Sequence, residues 1–339
     1  MTQKPVLVIG HRGAPAYRPE HTRTAYLLAI ESGVDAVEPD VVFTRDRVAV
    51  VRHENEISET TDVSAHPEFA DRRTTKVIDG HELTGWFTED FTWDELATLR
   101  CRERIPQLRP GSAEHNDSEP MLRLRDLLVL VDRAGTERGR PCGIVLEIKH
   151  ATYFAGLGFD VAGLIAADLR ADGWGSMDAS RPLWIESFER SVLGDLRGHG
   201  IEGAYIYLME SSGTPVDERA AREDDAPSYA KQLDDLPGLV AEASAPIDGI
   251  SLDKAILLDP ARHPRELVAA AHAVGLSVFT WTARPENYFL AERNRGAEVT
   301  DVASAAAYGD WRAEWAEIRD TGIDGVFVDH ADLGVAFFA

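Results

Sequence analysis

Cysteine is scarce in this sequence, which contains two cysteines, Cys101 and Cys142, among 339 residues. A chain of this length can bury enough apolar surface to fold without covalent crosslinks. Cys142 lies in an apolar stretch, and an even cysteine count by itself is weak support for a disulfide. The sequence therefore predicts a fold that needs no disulfide, with both thiols reduced.

Long hydrophobic runs are also missing, since no stretch reaches the roughly 20 apolar residues that cross a bilayer. Residues 1–9 have neither a long apolar core nor a small-residue cleavage site, the two marks of a secretory signal. The sequence therefore predicts no stable membrane insertion. A cytoplasmic location is expected for the chain as it stands, or a periplasmic or secreted one if a signal peptide was removed.

Basic residues are outnumbered, because 35 lysines and arginines face 58 aspartates and glutamates and give a formal net charge of −23. Nucleic acids and anionic membranes are bound through clustered lysine and arginine, so this balance excludes them as expected partners. The hydrophobic fraction of 44% indicates a globular protein with a sizeable core. Nothing in the sequence predicts an oligomeric state.

Short apolar runs alternate with helix-like segments along most of the chain. We predict strands over 6–10, 36–43, 143–149, 183–188, 204–209, 249–253, 277–282 and 325–328. Helical patterns fill the spacing, for example over 22–32, 124–134, 162–171, 191–198 and 265–274. This alternation favours parallel strands with crossover helices, and eight such units predict a (β/α)8 TIM barrel. A doubly wound open sheet is the alternative, but no glycine-rich phosphate fingerprint follows the first strand.

Two segments interrupt this alternation. A short strand over 48–52 precedes the segment 54–120, whose polar and tryptophan-containing sequence is too long for a simple barrel loop. We interpret 54–120 as a subdomain inserted over the barrel mouth, within one TIM-barrel domain spanning 1–339. The acidic run 218–225, between two prolines, has the composition of a solvated loop.

Charged side chains follow the first predicted strand and lie within the second. His11 and Arg12 come directly after the first strand, at the end where TIM-barrel active sites lie. Glu38 and Asp40 are two residues apart on the second strand, so they share a face, about 7 Å apart at a rise of ~3.3 Å per residue. Two carboxylates at that distance repel by roughly 2 kcal/mol at an effective dielectric of about 20, and burial costs more. A positive group is therefore expected beside them.

The predicted strand 143–149 places a carboxylate and a cation on one face, Glu147 and Lys149. For a single acid, a salt bridge to the second strand is the better interpretation. Three acids on two strands favour a metal site instead. Carboxylate oxygens suit Mg²⁺ or Ca²⁺, whereas zinc calls for more histidine or cysteine than these segments provide.

A second histidine, His53, follows the short strand 48–52. Taken alone, such a histidine is more often a surface or capping residue than a catalyst. Phosphodiester cleavage needs one group to accept a proton from the nucleophile and another to donate one to the leaving alkoxide. Histidine titrates near neutral pH, so the pair His11 and His53 predicts general acid–base chemistry.

Six motifs, four of which contain these residues, occur in order along the chain. They are Ile9-Gly10-His11-Arg12-Gly13-Ala14, Pro19-Glu20-His21-Thr22, Val37-Glu38-Pro39-Asp40-Val41, Val50-Val51-Arg52-His53-Glu54, Leu146-Glu147-Ile148-Lys149 and Thr280-Trp281-Thr282. Each motif is weak alone, but as a set they are highly specific, and the sequence resembles the glycerophosphodiester phosphodiesterase family. The long segment after His53 makes it more similar to the larger, periplasmic-type members.

The resemblance implies a (β/α)8 barrel that hydrolyses a small-molecule glycerophosphodiester to glycerol 3-phosphate and an alcohol. It implies one divalent cation, Mg²⁺ or Ca²⁺, held by Glu38, Asp40 and Glu147, with His11 and His53 as the catalytic pair. Substrate-binding roles are implied for four further residues, Arg12 and Lys149 on the phosphate and Phe188 and Trp281 on the glycerol or alcohol. Packing in the barrel core is the alternative for Trp281.

Two places depart from the family pattern. Glu186 precedes the Ser187-Phe188 pair, and residues 329–332 stand where a proline-containing turn is common. Neither departure is expected to contact the proposed site.

Two alternative functions remain open from the sequence. A related diesterase acting on lysophospholipid or polyglycerolphosphate would differ in its barrel mouth, because a lipid needs an exposed apolar rim. The candidates for that rim are Trp86, Phe87, Phe91 and Trp93, which are equally compatible with a core. A non-catalytic phosphodiester-binding barrel would be expected to lack one of the histidines or metal acids, and all five are present.

Overall fold

The computed structural model describes residues 5–176 and 178–339, so residues 1–4, which belong to the stretch used for the predicted location, lie outside it. Its strands are β1 (Leu7–His11), β2 (Ala36–Glu38), β3 (Asp40–Phe43), β4 (Ala49–Val51), β5 (Thr74–Ile78), β6 (His81–Gly85), β7 (Gly143–Ile148), β8 (Leu183–Ser187), β9 (Ala204–Met209), β10 (Gly249–Asp253), β11 (Ser277–Ala283) and β12 (Gly325–Val328). The parallel order β2-β1-β12-β11-β10-β9-β8-β7 closes through a β2–β7 pairing. The predicted TIM barrel is therefore confirmed, and the open-sheet alternative is wrong.

Helices connect the barrel strands and cover their outer faces. They are α1 (Arg23–Ser32), α2 (Trp93–Leu96), α3 (Pro110–Ala113), α4 (Leu124–Glu137), α5 (Ala151–Gly156), α6 (Val161–Ala171), α7 (Arg190–Gly198), α8 (Val216–Arg222), α9 (Tyr229–Leu233), α10 (Leu236–Ala241), α11 (Lys254–Leu258), α12 (Pro264–Ala273), α13 (Val302–Ala306), α14 (Trp311–Arg319) and α15 (Ala331–Phe338). Short 3-10 helices span Val63–Ala65, Pro67–Arg72, Thr88–Asp90, Glu223–Asp225, Pro260–Arg262 and Glu292–Asn294.

The barrel interior is apolar at its base and charged at its mouth. Six buried side chains fill the base: Ile9, Ala36, Val145, Ile206, Phe279 and Phe327. Side chains on a strand alternate between its two faces. Residues two places further along three of these strands, His11, Glu38 and Glu147, therefore point into the barrel near its carboxyl-terminal end.

The predicted strand 36–43 is divided at Pro39, which separates β2 from β3. Proline has no N–H to donate to the ladder. Its carbonyl still accepts a hydrogen bond of 2.9 Å from the Glu147 N–H, so β7 bridges both halves. This arrangement places His11 in register with Glu38 and Asp40 in register with Glu147.

The segment 54–120 contains the antiparallel hairpin β5–β6 and the short helices α2 and α3. Trp86, Phe87 and Phe91 are 9%, 0% and 0% exposed, and Trp93 is partly buried against the main core. These four aromatic residues belong to the packed interior rather than to an exposed rim. The interpretation of 54–120 as an inserted subdomain stays a prediction.

The acidic run 218–225 is helical, so the prediction of a loop there is wrong. Helix α8 covers most of it and the 3-10 helix Glu223–Asp225 follows. Acidic residues in the first turn of α8 and arginines in its last turn interact favourably with the helix dipole. Arg222 Nε also lies 3.0 Å from Glu218 Oε2, one turn away.

Both cysteines are buried and free, as predicted. Burial raises the pKa of the Cys142 thiol to about 11, which keeps it protonated at neutral pH.

Among the described residues, no helix combines the length and the apolar character that crossing a bilayer requires.

Candidate active site

A cavity of about 260 Å³ lies at the carboxyl-terminal ends of the barrel strands. Its walls include eight of the nine predicted site residues, namely His11, Arg12, Glu38, His53, Glu147, Lys149, Phe188 and Trp281. The ninth, Asp40, is fully buried next to the cavity and contacts both Arg12 and Lys149. The fold thus brings all nine together, in a space suited to a small molecule.

His11, the last residue of β1, is held by a carboxylate from the end of β12. Its Nδ1 lies 2.6 Å from Asp329 Oδ1, and its Nε2 accepts a hydrogen bond of 3.2 Å from Arg12 Nε. These partners assign the neutral tautomer with the proton on Nδ1. Burial, together with Arg12, lowers the pKa of His11 to about 4 even though Asp329 opposes the shift. The ring therefore presents a basic nitrogen toward the cavity.

Arg12 follows β1 in a left-handed backbone conformation, with φ at 55°. Its backbone N–H donates to Glu38 Oε2 at 2.8 Å, and its guanidinium lies 3.0 Å from Glu20 Oε2. Gly13 comes next with φ at 93°, and a Cβ there would lie 2.7 Å from the backbone of Ala25. Only glycine allows α1 to approach this turn so closely.

His53 follows β4 and lines the cavity beside Lys149. Its Nδ1 lies 2.5 Å from Glu54 Oε1, and Glu54 Oε2 lies 2.6 Å from Arg104 Nη1. Burial and the cations Arg12 and Lys149 lower the pKa of His53 to about 3. Both predicted catalytic imidazoles are therefore uncharged at neutral pH before any anion binds.

Arg104 joins the surroundings of the two histidines. Besides contacting Glu54, its guanidinium donates to Glu20 at 2.6 and 3.1 Å. Glu20 in turn contacts Arg12. A continuous chain of charged groups therefore runs from Arg12, next to His11, to Glu54, next to His53.

Three buried glutamates form the carboxylate cluster of the site: Glu38, Glu147 and Glu186. One oxygen of each lies within 4.8 Å of one oxygen of the other two. Burial and mutual repulsion raise the pKa of Glu38 and of Glu186 well above the usual range, and burial raises that of Glu147 to about 8. Glu38 Oε1 is buried without a hydrogen-bond partner. Such a set of oxygens fits a hard divalent cation.

Asp40 differs from these glutamates because cations and donors surround it. Its Oδ2 lies 2.9 Å from His21 Nε2 and 3.4 Å from Arg12 Nε, and its Oδ1 lies 3.3 Å from Lys149 Nζ. Burial acts to raise the pKa of Asp40, but Lys149, His53, His21 and Arg12 hold it well below the usual range. His21 is itself fully buried and bonded to Tyr26, so it orients Asp40.

Lys149 and two aromatic rings form another wall of the cavity. Lys149 Nζ lies 2.6 Å from Glu147 Oε1 and 5.5 Å from the centre of the Phe188 ring. Phe188 and Trp281 meet edge to face with ring centres 5.6 Å apart. Trp281 Nε1 donates to the Ser251 carbonyl at 3.3 Å. An apolar surface thus lies beside the charged groups.

Both departures from the family pattern contact the site, so the expectation that neither would is wrong. Asp329 bonds to His11, and Glu186 belongs to the carboxylate cluster. For Glu186 a sequence signal existed, since it shares a strand face with Phe188, already predicted to line the pocket. The sequence signal for Asp329 was weaker, because it is only an acidic residue directly after the last strand.

The comparisons with known proteins indicate one family. The model of the glycerophosphoryl diester phosphodiesterase family matches residues 11–333. Glycerophosphodiester phosphodiesterase GDPD6 of Arabidopsis thaliana is 28% identical over 95% of this chain and 82% of its own length. Glycerophosphodiester phosphodiesterase of Treponema pallidum is 24% identical, with 98% of this chain and 91% of that protein covered.

A solved structure shows the same fold. The phosphodiesterase of Oleispira antarctica, in complex with the product sn-glycerol-3-phosphate, aligns with a TM-score of 0.61 at 18% identity. The alignment covers 98% of this chain and 96% of that one. Since the family match spans almost the whole chain, the resemblance inferred from the motifs is confirmed. The chain belongs to the glycerophosphoryl diester phosphodiesterase family.

Proposed function

We propose that this chain hydrolyses glycerophosphodiesters to glycerol 3-phosphate and an alcohol with the aid of one divalent cation, Mg²⁺ or Ca²⁺. The observation that carries the proposal is that two imidazoles, His11 and His53, share one small cavity with a buried carboxylate cluster. The glycerol 3-phosphate bound to the Oleispira antarctica phosphodiesterase agrees with this product.

Glu38, Asp40 and Glu147 are the proposed ligands of the cation. The unpartnered Glu38 oxygen and the shared register of Asp40 and Glu147 support this assignment. A divalent cation at this position would polarise the phosphoryl group and offset the negative charge that develops on it.

His11 is proposed as the general base. Its Nδ1–H donates to Asp329, so the lone pair on Nε2 is the group that can accept a proton from the nucleophile. Asp329 then stabilises the imidazolium that forms. Arg12, whose Nε lies 3.2 Å from that nitrogen, would turn toward the phosphate as the ring becomes charged.

His53 is proposed as the general acid, which requires it to carry a proton when the ester breaks. The two cations that lower its pKa, Arg12 and Lys149, are the same groups proposed to bind the phosphate. A bound phosphodiester anion offsets their charge and so favours proton uptake by His53. Substrate binding and protonation of His53 are thereby coupled.

The nucleophile is either the glycerol hydroxyl next to the ester or a water molecule. The hydroxyl would produce a cyclic phosphate that water opens in a second step, whereas water would give glycerol 3-phosphate directly. Phe188 and Trp281 are proposed to pack against the glycerol or alcohol in both cases. Detection of a cyclic phosphate during single turnover distinguishes the two routes.

The structure favours a glycerophosphodiester over a lysophospholipid as the substrate. The aromatic residues Trp86, Phe87 and Phe91, candidates for a lipid-contacting rim, are buried in the interior. An acyl chain would therefore find no apolar surface on these side chains.

The test is a hydrolysis assay with purified, chelator-treated protein. Glycerophosphocholine, glycerophosphoethanolamine and lysophosphatidylcholine are supplied separately, with Mg²⁺ or Ca²⁺ added back. We expect release of glycerol 3-phosphate from the first two substrates, restored by metal. Faster turnover of lysophosphatidylcholine would overturn the substrate assignment, and equal activity with and without chelator would overturn the metal requirement. Substrate binding without turnover would instead identify a binding protein.

A further inference from the structure

Glu186 is a buried carboxylate that has no hydrogen-bonding or ion-pair partner among the described residues. It is 1% exposed, and its Oε2 has no hydrogen-bond partner. Within the described ranges 5–176 and 178–339, neither of its oxygens takes part in a hydrogen bond or an ion pair. Its charged neighbours are two further carboxylates, Glu147 and Asp40, and one cation, Lys149.

The fold places Glu186 in this position through strand register. It lies on β8 directly beside Glu147 on β7. Trp184, two residues earlier, packs in the barrel interior, whereas the Ser187 hydroxyl donates to the Ile148 carbonyl on the other face. The alternation of β8 therefore aims Glu186 into the barrel mouth.

The other carboxylates of the site have compensating partners. Glu38 accepts the backbone N–H of Arg12, Glu147 contacts Lys149, and Asp40 is surrounded by His21, Arg12 and Lys149. A buried carboxylate without such a partner is costly. Glu186 is the one member of the set whose ionised form needs a cation that the described part of the protein does not supply.

The distances between the carboxylate oxygens and the charge of the site both favour a divalent cation. A Ca²⁺ ion at ~2.4 Å from each ligand joins oxygens up to about 4.8 Å apart, which is the separation within which the oxygens of Glu38, Glu147 and Glu186 lie. With Asp40, four carboxylates face two neighbouring cations, Arg12 and Lys149. The excess of two negative charges equals the charge of one divalent ion.

We propose that Glu186 binds the divalent cation directly, as a fourth carboxylate beside Glu38, Asp40 and Glu147. This inference rests on the metal site of the proposed function and extends it to a residue that the family motifs do not include. An additional anionic ligand increases the affinity for the cation. It also excludes one water molecule from the coordination shell.

The test compares Glu186→Gln with Glu189→Gln. The two glutamates are three residues apart and both buried, but Glu189 accepts the backbone N–H of Thr152 at 2.8 Å and is absent from the carboxylate cluster. Calorimetric titration of chelator-stripped protein with Ca²⁺ and with Mg²⁺ measures the affinity. We expect Glu186→Gln to lower the affinity by roughly tenfold or more, because the affinity depends on the number of charged ligands. Glu189→Gln should leave the affinity unchanged.

A second measurement separates direct binding from an indirect effect. The luminescence lifetime of bound Tb³⁺ in H₂O and D₂O reports how many waters contact the ion, and Glu186→Gln should increase that number. Thermal unfolding of the metal-free proteins checks folding, and Glu186→Gln should unfold at no lower temperature than the parent because the replaced carboxyl oxygen has no hydrogen-bond partner among the described residues.

Parental affinity and water number in Glu186→Gln would overturn the role of Glu186 as a ligand. If Glu38→Gln loses the metal in the same experiments, the metal site of the proposed function stands and only this inference fails. If the parent protein itself binds neither ion, the proposed metal site fails.

Discussion

Asp329 Oδ1 lies 2.6 Å from His11 Nδ1, while its other oxygen accepts hydrogen bonds of 2.6 Å from both Arg109 and Arg284. Burial acts to raise the pKa of Asp329, but the two guanidinium groups and His11 hold it well below the usual range. The carboxylate is thus charged at neutral pH and fixed in place by three donors. The tautomer and the orientation of His11 follow from it.

Asp329→Asn tests this relationship. Asp329 raises the proton affinity of His11, so its loss should lower the pKa of His11 and make the ring a weaker base. We expect turnover to fall roughly 10²-fold or more, with little change in KM, and the acid limb of the kcat/KM profile to move to lower pH. Steady-state kinetics across pH measure all three quantities.

Asp332→Asn is the matched control for that experiment. Asp332 lies three residues further along the chain and accepts a hydrogen bond from Tyr17 on the surface rather than from His11. Its variant should keep parental kinetics. Parental turnover in Asp329→Asn would show that His11 needs no carboxylate to act.

His11→Ala and His53→Ala should each lose about 10² to 10⁴ in turnover while retaining the fold and metal affinity, because each removes one proton-transfer group. The losses should not add fully in the double variant, since both groups act on one transition state. His199→Ala, at an exposed position beyond α7, should behave like the parent. A histidine whose replacement leaves turnover intact has no catalytic role.

Alanine substitutions of the proposed metal ligands should differ in their effect on stability. Asp40→Ala leaves His21, Arg12 and Lys149 without a shared partner, and removal of one member of a buried charge network costs about 3–5 kcal/mol. Glu38→Ala removes a group that mainly repels its neighbours. All three of Glu38→Ala, Asp40→Ala and Glu147→Ala should lose metal affinity in calorimetric titrations. In the metal-free state, we expect Asp40→Ala to unfold at a clearly lower temperature than Glu38→Ala.

If metal-free Glu38→Ala lost as much stability as Asp40→Ala, the contacts of Asp40 with His21, Arg12 and Lys149 would not explain its contribution to stability. Parental metal affinity in any of the three variants would remove that residue from the proposed set of ligands.

The sequence predicts the barrel strands well because parallel strands are buried on both faces and stand out as short apolar runs. The strand over 204–209 has the predicted bounds, and that over 143–149 ends one residue earlier. The nine predicted site residues lie together for the same reason, since they are at or near strand ends.

The groups that hold the site residues were not predictable in this way. Arg109 bonds to Asp329 across 220 residues of sequence, and Arg104 bonds to Glu20 across 84. Both arginines belong to the irregular segment 54–120, where no periodicity indicates which way a side chain points. Only the folded chain shows that this segment supplies the cations that fix Asp329 and Glu54, and through them the two histidines.

The last prediction concerns the linkage of metal binding to protons. The pKa of Glu147 is raised to about 8, and those of Glu38 and Glu186 are raised well above the usual range. Between their unfolded pKa of about 4.3 and these folded values, the folded protein holds more protons than the unfolded chain. His11 and His53 have the opposite effect below their unfolded pKa of about 6.5, because their folded pKa values are lowered to about 4 and about 3. The free energy of unfolding of metal-free protein should therefore fall as pH rises from about 6.5 toward the folded pKa values of the three glutamates. Below about pH 4 the sign reverses, because the pKa values of Asp40, Glu20 and Asp329 are lowered and their contribution is lost as pH falls.

A divalent cation binds the ionised carboxylates, so metal binding near pH 7 should release protons. Calorimetric titration in two buffers of different ionisation enthalpy measures this release directly. Urea unfolding from about pH 6.5 to 8, above the unfolded histidine pKa, should show a declining stability with chelator and a nearly flat one with excess metal. Glu147→Gln should reduce both the proton release and the slope, since it removes one of the groups that titrate. Identical titration heats in the two buffers would show that metal binding releases no protons. That result would contradict the raised pKa values of the glutamates.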